Sequence, residues 1–229
     1  MGLAKKRKKD SYTYADYLQF PDDIRSEIID GVIYNMSPAP KIKHQKISGN
    51  LFGVIWQYLK NRKCSIYSAP FDVRFAGKKT EDFEIKNVVQ PDLSIICDPN
   101  KLDERGCIGA PDWIIEILSP SSSSRDMKYK FKLYEEYGVK EYWIVEPTDQ
   151  IVMVFILNDG KYELGGHFDS LDYLKPRLFS DLEIDLAEVF GVEREEDNEE
   201  EEGGVVIERL GDKERSEEHT SELQSPLCI

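Results

Sequence analysis

The chain has 229 residues, 40% of them hydrophobic and 11% aromatic, enough apolar surface for a core in one large domain, or one domain with a tail, and too much for a wholly disordered chain. No run approaches the roughly 18 consecutive apolar residues of a membrane span, and no apolar stretch follows the charged N-terminus, so neither insertion nor secretion is expected. The net charge is −14; residues 10–192 stay acidic without the ends, which argues against a non-specific nucleic-acid coat protein and is compatible with carboxylates that hold a cation.

Residues 1–11 begin with five cations, Lys5 to Lys9, and read as a basic arm without fixed structure. Thr13 can cap a short helix through Phe20 that Pro21-Asp22-Asp23 ends. Glu27–Met36 reads as two short strands about an Asp30-Gly31 turn, and Ser37-Pro38-Ala39-Pro40 as a stiff loop. Between Lys41 and Lys60 the residues Ile47, Leu51, Val54, Ile55, Tyr58 and Leu59 fall at helical spacing and predict one amphipathic helix.

Three strand candidates follow, Ser65–Phe75, Val88–Cys97 and Trp113–Leu118, with loops at Gly77–Asp82 and Asp98–Gly109. After Ser121–Ser124 a helix over 125–137 is predicted, ended by Gly138. Glu141–Glu146 and Ile151–Leu157 read as a strand pair joined by Pro147-Thr148-Asp149, and Lys161–Leu164 as a hairpin partner. Tyr142 and Trp143 are expected in the core. Residues 191–214 are too acidic to bury surface. Arg215–Ser225 reads like an adapter sequence translated in frame, so 215–229 carries no weight for fold or function. One domain over 12–190 is therefore expected.

Cys64, Cys97, Cys107 and Cys228 form no CxxC pair and have no neighbouring histidine, which excludes the common zinc spacings. Reduced thiols in a cytoplasmic protein are expected, with Cys97 in the core.

The residues with chemistry to offer are two acids in apolar strands. With a side-chain period of two, Asp92 shares a face with Ser94 and Ile96, and Glu116 with Ile114 and Leu118. A carboxylate in such surroundings costs several kcal/mol unless it is paired or binds a cation. On adjacent strands the two would suit a hard divalent metal, magnesium above all. Each acid alone is explained as well by structure, Asp92 capping a turn after Pro91 and Glu116 pairing with a lysine. Asp112 belongs to a loop end. Asp126, Lys130 and Tyr134 stand at i, i+4 and i+8; on spacing alone an Asp126–Lys130 helical salt bridge accounts for them.

The order Glu27-Ile28-Ile29-Asp30-Gly31, Met36-Ser37-Pro38-Ala39, His44, Val89-Gln90-Pro91-Asp92, Gly109-Ala110-Pro111-Asp112, Glu116-Ile117-Leu118-Ser119-Pro120-Ser121, Asp126, Lys130, Tyr134 and Gly138-Val139-Lys140-Glu141-Tyr142-Trp143 resembles the Uma2 family of restriction-endonuclease-like proteins, abundant in cyanobacteria and part of the PD-(D/E)XK nuclease superfamily. The resemblance covers about Tyr12 to Phe190. It implies an α/β fold, a mixed β-sheet flanked by helices, with magnesium, or manganese in its place, held by Asp92 and Glu116. Glu27 matches the upstream acid. The superfamily's Glu-x-Lys would need a lysine at Leu118; in this family the lysine moves to the next helix, where Lys130 matches it. Asp126 and Tyr134 match that helix in positioning roles, and His44 matches as a phosphate contact, a proton shuttle or a structural polar residue. Val32 stands where many relatives carry a glutamate.

The function that follows is a magnesium-dependent endonuclease that hydrolyses phosphodiester bonds in DNA, with Glu27, Asp92, Glu116 and Lys130 as its catalytic set. The alternative is an inactive DNA- or protein-binding module that keeps the nuclease fold. Cutting both strands of a duplex takes two active sites, so a homodimer built on exposed sheet or on the 141–157 strands is expected, with DNA as partner and no membrane.

Overall fold

The computed structural model of the chain describes residues 10–21, 25–36, 41–119 and 126–194, without the side chain of Asp126. The basic arm at 1–9, the Ser37–Pro40 loop, Ser121–Ser124 and the sequence after Arg194 lie outside these residues. Thr13 precedes α1 (Tyr14–Tyr17), and its backbone N–H donates to Asp16 at 2.9 Å. Asp30 (φ 50°) and Gly31 (φ 74°) supply the two left-handed positions of a tight hairpin turn between β1 (Ser26–Ile29) and β2 (Val32–Asn35). The helical spacing after Lys41 becomes α2 (Ile42–Leu59), which buries Ile47, Leu51, Ile55 and Leu59 along one stripe.

The two longer strand candidates are each cut in two. Residues 65–75 form β3 (Ser65–Ser68) and β4 (Val73–Arg74), with a cis Ala69–Pro70 bond between them. Residues 88–97 form β5 (Val88–Val89) and β6 (Leu93–Ile96), parted by Gln90-Pro91-Asp92. Pro91 has no N–H to offer a ladder, so pairing stops there and the chain passes from one sheet to another. The stretch Asp98–Gly109, expected as a loop, holds a 3-10 turn (Pro99–Lys101) and a small hairpin of β7 (Leu102–Asp103) and β8 (Gly106–Ile108). Gly106, at φ 118°, lies so near β4 that an added Cβ would stand 2.3 Å from the Asp72 carbonyl oxygen.

The remaining elements are β9 (Trp113–Ile117), a wide π-helical turn (Asp126–Lys130) running into α3 (Phe131–Tyr137), then β10 (Glu141–Glu146), β11 (Ile151–Asn158), β12 (Lys161–Phe168), β13 (Tyr173–Leu174), β14 (Ile184–Asp185) and α4 (Leu186–Phe190). They complete the expected α/β fold of mixed sheet and helices, the strands of the described residues falling into two six-stranded sheets and a two-stranded one. The first runs β2-β1-β5-β4-β8-β7, the second β12-β11-β10-β9-β6-β3. Among the described residues only the β4–β8 and β9–β10 pairs are parallel.

Strand β9 is buried along its whole length and divides the core. Trp113, Ile115 and Ile117 pack with α2, α4 and Trp143, whereas Ile114 packs with Leu133, Tyr134 and Tyr142 on the other face. Tyr142 and Trp143 are fully buried, as expected. Strand β10 lies between β9 and β11 with Glu141–Val145 buried, so it offers no face to a second copy; the edge on that side is β12.

The expectation of reduced thiols is corrected for two of the cysteines. The β3–β6 register pairs Ser65 with Ile96, which sets the flanking positions opposite each other, and Cys64 and Cys97 are joined in a disulfide with their Cα atoms 3.9 Å apart. That pairing depends on which strands become neighbours, and spacing along the chain does not reveal it. Cys107 is free and buried, and burial pushes its thiol up to about 12. Cys228 lies outside the described residues.

Candidate active site

Strands β6 and β9 run antiparallel with Leu93 opposite Ile115 and Ser94 opposite Ile114; one step further along, Asp92 faces Glu116. The two acids read from the strand pattern are therefore neighbours. One oxygen of Asp92, Oδ2, accepts from the Ile117 backbone N–H at 2.8 Å and stands 3.3 Å from Nε2 of His44 on α2. The Asp92 side chain keeps 22% of its surface, so this carboxylate meets solvent while its partner does not.

Glu116 is buried. Its Oε1 accepts from the Lys130 ammonium at 2.9 Å and from the Tyr134 hydroxyl at 2.6 Å. The same ammonium stands 2.8 Å from Oε1 of Glu27, a fully buried residue of β1. Lys130 therefore joins a carboxylate of the first sheet to one of the second. Glu27 Oε1 also accepts from the Gln90 backbone N–H at 3.0 Å, so the short Gln90-Pro91-Asp92 link touches both ends of the cluster.

Local structure explains how one lysine reaches both acids. Lys130 closes the π-helical turn and Tyr134 lies four residues on in α3, which puts both on one helix face, against Glu116. The helical Asp126–Lys130 salt bridge fails as a full account of Lys130, because its ammonium is engaged by Glu27 and Glu116; the Asp126 side chain lies outside the described residues. Leu118, where the wider superfamily has its lysine, is core. Asp112 has a structural position, accepting from the Cys97 backbone N–H and from Lys140, as its place at a loop end implied.

Burial raises the Tyr134 hydroxyl well above the ordinary phenol range, with the charges of Glu116 and Glu27 adding to it. Tyr134 therefore stays neutral and donates, which holds the Glu116 carboxylate in place without neutralising it.

Sequence reasoning missed the polar network behind Glu27. The Gln90 side chain accepts from Arg25 at 2.8 Å and donates to Asp72 at 2.9 Å and to the Tyr17 hydroxyl at 3.0 Å. Burial and Asp72 push the Tyr14 hydroxyl up to about 12, and that of Tyr17 rises for the same reasons. The available signal was an amide placed directly before Pro91-Asp92.

Three carboxylates against one ammonium leave Glu27, Asp92, Glu116 and Lys130 with two excess negative charges if all are ionised. Among the described residues no group of three or more His, Cys, Asp or Glu is arranged to hold a metal. A cation here would rest on Asp92 and Glu116 and keep most of its waters. Hard oxygens, few protein ligands and a charge deficit of two fit magnesium, which binds through one or two carboxylates and dehydrates reluctantly.

A family model described as "Uma2: Putative restriction endonuclease" matches residues 14–187. The chain belongs to the Uma2 family. It is 29% identical over 147 residues to the Synechocystis sp. uncharacterized protein slr1290, covering 63% of this chain and 73% of that one. It is also similar to a crystal structure from Anabaena variabilis described as a "putative nuclease belonging to DUF820", with a TM-score of 0.62, 25% identity, 79% of this chain covered and 98% of the other. Fold and Uma2 membership together support a nuclease function. Among the described residues no helix is long and apolar enough to cross a membrane.

Proposed function

We propose that this Uma2 protein is a magnesium-dependent endonuclease that hydrolyses phosphodiester bonds in DNA. The observation that carries the reading is the meeting of Glu27, Glu116 and Lys130 beside a solvent-touching Asp92. Asp92 and Glu116 hold the metal, which when bound supplies Lewis-acid polarisation of the scissile phosphate and a more acidic water. Lys130 places its ammonium where negative charge develops on the phosphate oxygens. Glu27, fully buried, acts through Lys130, whose ammonium it fixes in place. His44 steadies Asp92 and Tyr134 steadies Glu116; both act by position. Manganese, with the same preference for oxygen ligands, would serve in place of magnesium.

A second reading, an inert binding module that kept the fold, draws on one observation: the Lys130 ammonium is already satisfied by two carboxylates, as a purely structural ion pair would be. Incubating the protein with plasmid DNA and magnesium, beside Asp92→Ala and Lys130→Ala, separates the two. Magnesium-dependent cutting that both variants lose supports the nuclease. Absence of cutting, or equal cutting by both variants, supports the inert module. A cytoplasmic place and a homodimer go with the nuclease reading, and sedimentation at micromolar concentration tests the dimer.

A further inference from the structure

Each of the two residues at the Lys130–Glu27 contact has an aromatic neighbour. Tyr34 is the cross-strand partner of Glu27 in the β1–β2 hairpin, so both side chains leave the sheet on one face. Tyr129 directly precedes Lys130 in the wide turn. The two rings meet, their centroids 5.6 Å apart and their planes 36° apart. Tyr34 is partly buried against the core, but Tyr129 keeps 42% of its surface and Met127 in the same turn is half exposed. Tyr129 and Met127 thus present an exposed apolar step next to Lys130, with the Tyr129 ring held from behind by Tyr34.

Two cations flank this step outside the buried acidic cluster. The Lys128 ammonium hangs 5.5 Å from the Tyr129 centroid. Arg25 lies exposed at the entrance to β1, its guanidinium on Gln90. Cations and an exposed aromatic step beside the reactive residues fit a polyanion that also has flat apolar faces.

We infer that Tyr129, backed by Tyr34, is a stacking platform for an unpaired base, and that the substrate class is single-stranded or locally frayed nucleic acid whose phosphates follow Lys128 and Arg25 towards Lys130. Bases inside a duplex have both faces covered by their neighbours and cannot lie on a tyrosine ring without leaving the stack. Stacking on an aromatic ring tolerates every base, and a basic track beside it follows the backbone. The assignment of a reaction rests on the nuclease reading above; the binding does not.

The test measures anisotropy of a fluorescein-labelled oligothymidine, alone or paired with oligodeoxyadenosine, against the full chain with divalent ions chelated. The single strand binds more tightly than the duplex. Tyr129→Leu weakens single-strand binding about 10-fold or more and leaves duplex binding within about 2-fold, while Tyr129→Trp retains it. Tyr34→Leu acts in the same direction; if melting shows it unfolded, Tyr129→Leu alone decides. Tighter duplex binding, no single-strand binding, or a Tyr129→Leu protein with unchanged affinity overturns the inference. Tyr129-dependent binding without any magnesium-dependent cutting sinks the nuclease reading and leaves the platform standing. Magnesium-dependent cutting of the single strand, below saturation, that Tyr129→Leu performs as well as the unaltered protein does the reverse.

Discussion

Lys130 ties Glu27 to the rest of the site: its ammonium, at the end of the wide turn that enters α3, stands 2.8 Å from a carboxylate oxygen of a strand in the other sheet. Because the same nitrogen is 2.9 Å from Glu116, the contact joins two sheets as well as two residues. A buried ammonium shared by two buried carboxylates is costly to assemble and more costly to break, since removing one partner leaves the others as uncompensated charge.

Lys130→Met is accordingly expected to destabilise the protein by about 3–5 kcal/mol at neutral pH. Adding Glu27→Gln to it removes one of the stranded charges and recovers about 1 kcal/mol or more, because the two sites are in contact and do not add. Urea midpoints of the single and double variants measure both effects. A Lys130→Met protein that unfolds at the wild-type midpoint would show that the ion pair is absent in solution.

Tyr134 predicts a signature at high pH. Burial holds its folded-state pKa well above the ordinary phenol value of about 10, so the native state holds a proton that the unfolded chain releases. The stabilisation is complete below about pH 10 and is lost as pH rises further, by up to about 1.4 kcal/mol per pH unit for one group. Tyr134→Phe loses a hydrogen bond to Glu116, costing about 1.5–3 kcal/mol at pH 8, and its stability then falls less steeply above pH 10. Tyr14, Tyr17 and Tyr162 are raised as well, so the slope shrinks without vanishing. Urea unfolding between pH 8 and pH 11 reads it, and identical slopes for the two proteins would count against the buried phenol.

What could be read from the sequence follows from which features are local. The α2 stripe and the span of β10 emerge directly from apolar spacing, and the Asp30-Gly31 turn from backbone chemistry. Asp92 and Glu116 were legible because a carboxylate in an apolar strand is out of place wherever the strand ends up. Lys130 was not, since its spacing from Asp126 matched an ordinary helical pair; only the family resemblance singled it out. The breaks inside 65–75 and 88–97 were obscured because apolar runs continue through Pro70 and Pro91, and each half belongs to a different sheet. The Gln90 network and the Cys64–Cys97 bond depend on long-range register, which local pattern does not contain.

The disulfide yields a prediction of its own. Cys64 and Cys97 are 33 residues apart, and closing a loop of that length restricts the unfolded chain by about 3–4 kcal/mol. Reductant, or the Cys64→Ser/Cys97→Ser double variant, should lower the stability by about that amount. Thiol titration of the denatured, unreduced protein should find two reactive cysteines of the four in the chain, Cys107 and Cys228, and all four after reduction. Four thiols before reduction would mean that the bond does not form in the purified protein.

Magnesium itself should stabilise the fold through Asp92. A ligand at about a hundred times its dissociation constant adds about 2.7 kcal/mol, which for a domain of this size raises the melting temperature by about 5–10 °C. Asp92→Asn keeps an oxygen able to accept from the Ile117 N–H but removes one of the two charges that would hold the cation. Without metal the variant should be as stable as wild type or slightly more so, because a carboxylate near Glu116 has been neutralised. With metal it should show little of the rise, and cutting should fall by about 100-fold or more, the scale of losing one preorganised charge at a reacting centre. Glu27→Gln provides the contrast, because that carboxylate is spent on Lys130 and the Gln90 N–H: the variant should keep most of the magnesium-induced rise while losing activity. A full thermal shift in Asp92→Asn would move the metal away from the β6–β9 junction and take the proposed chemistry with it.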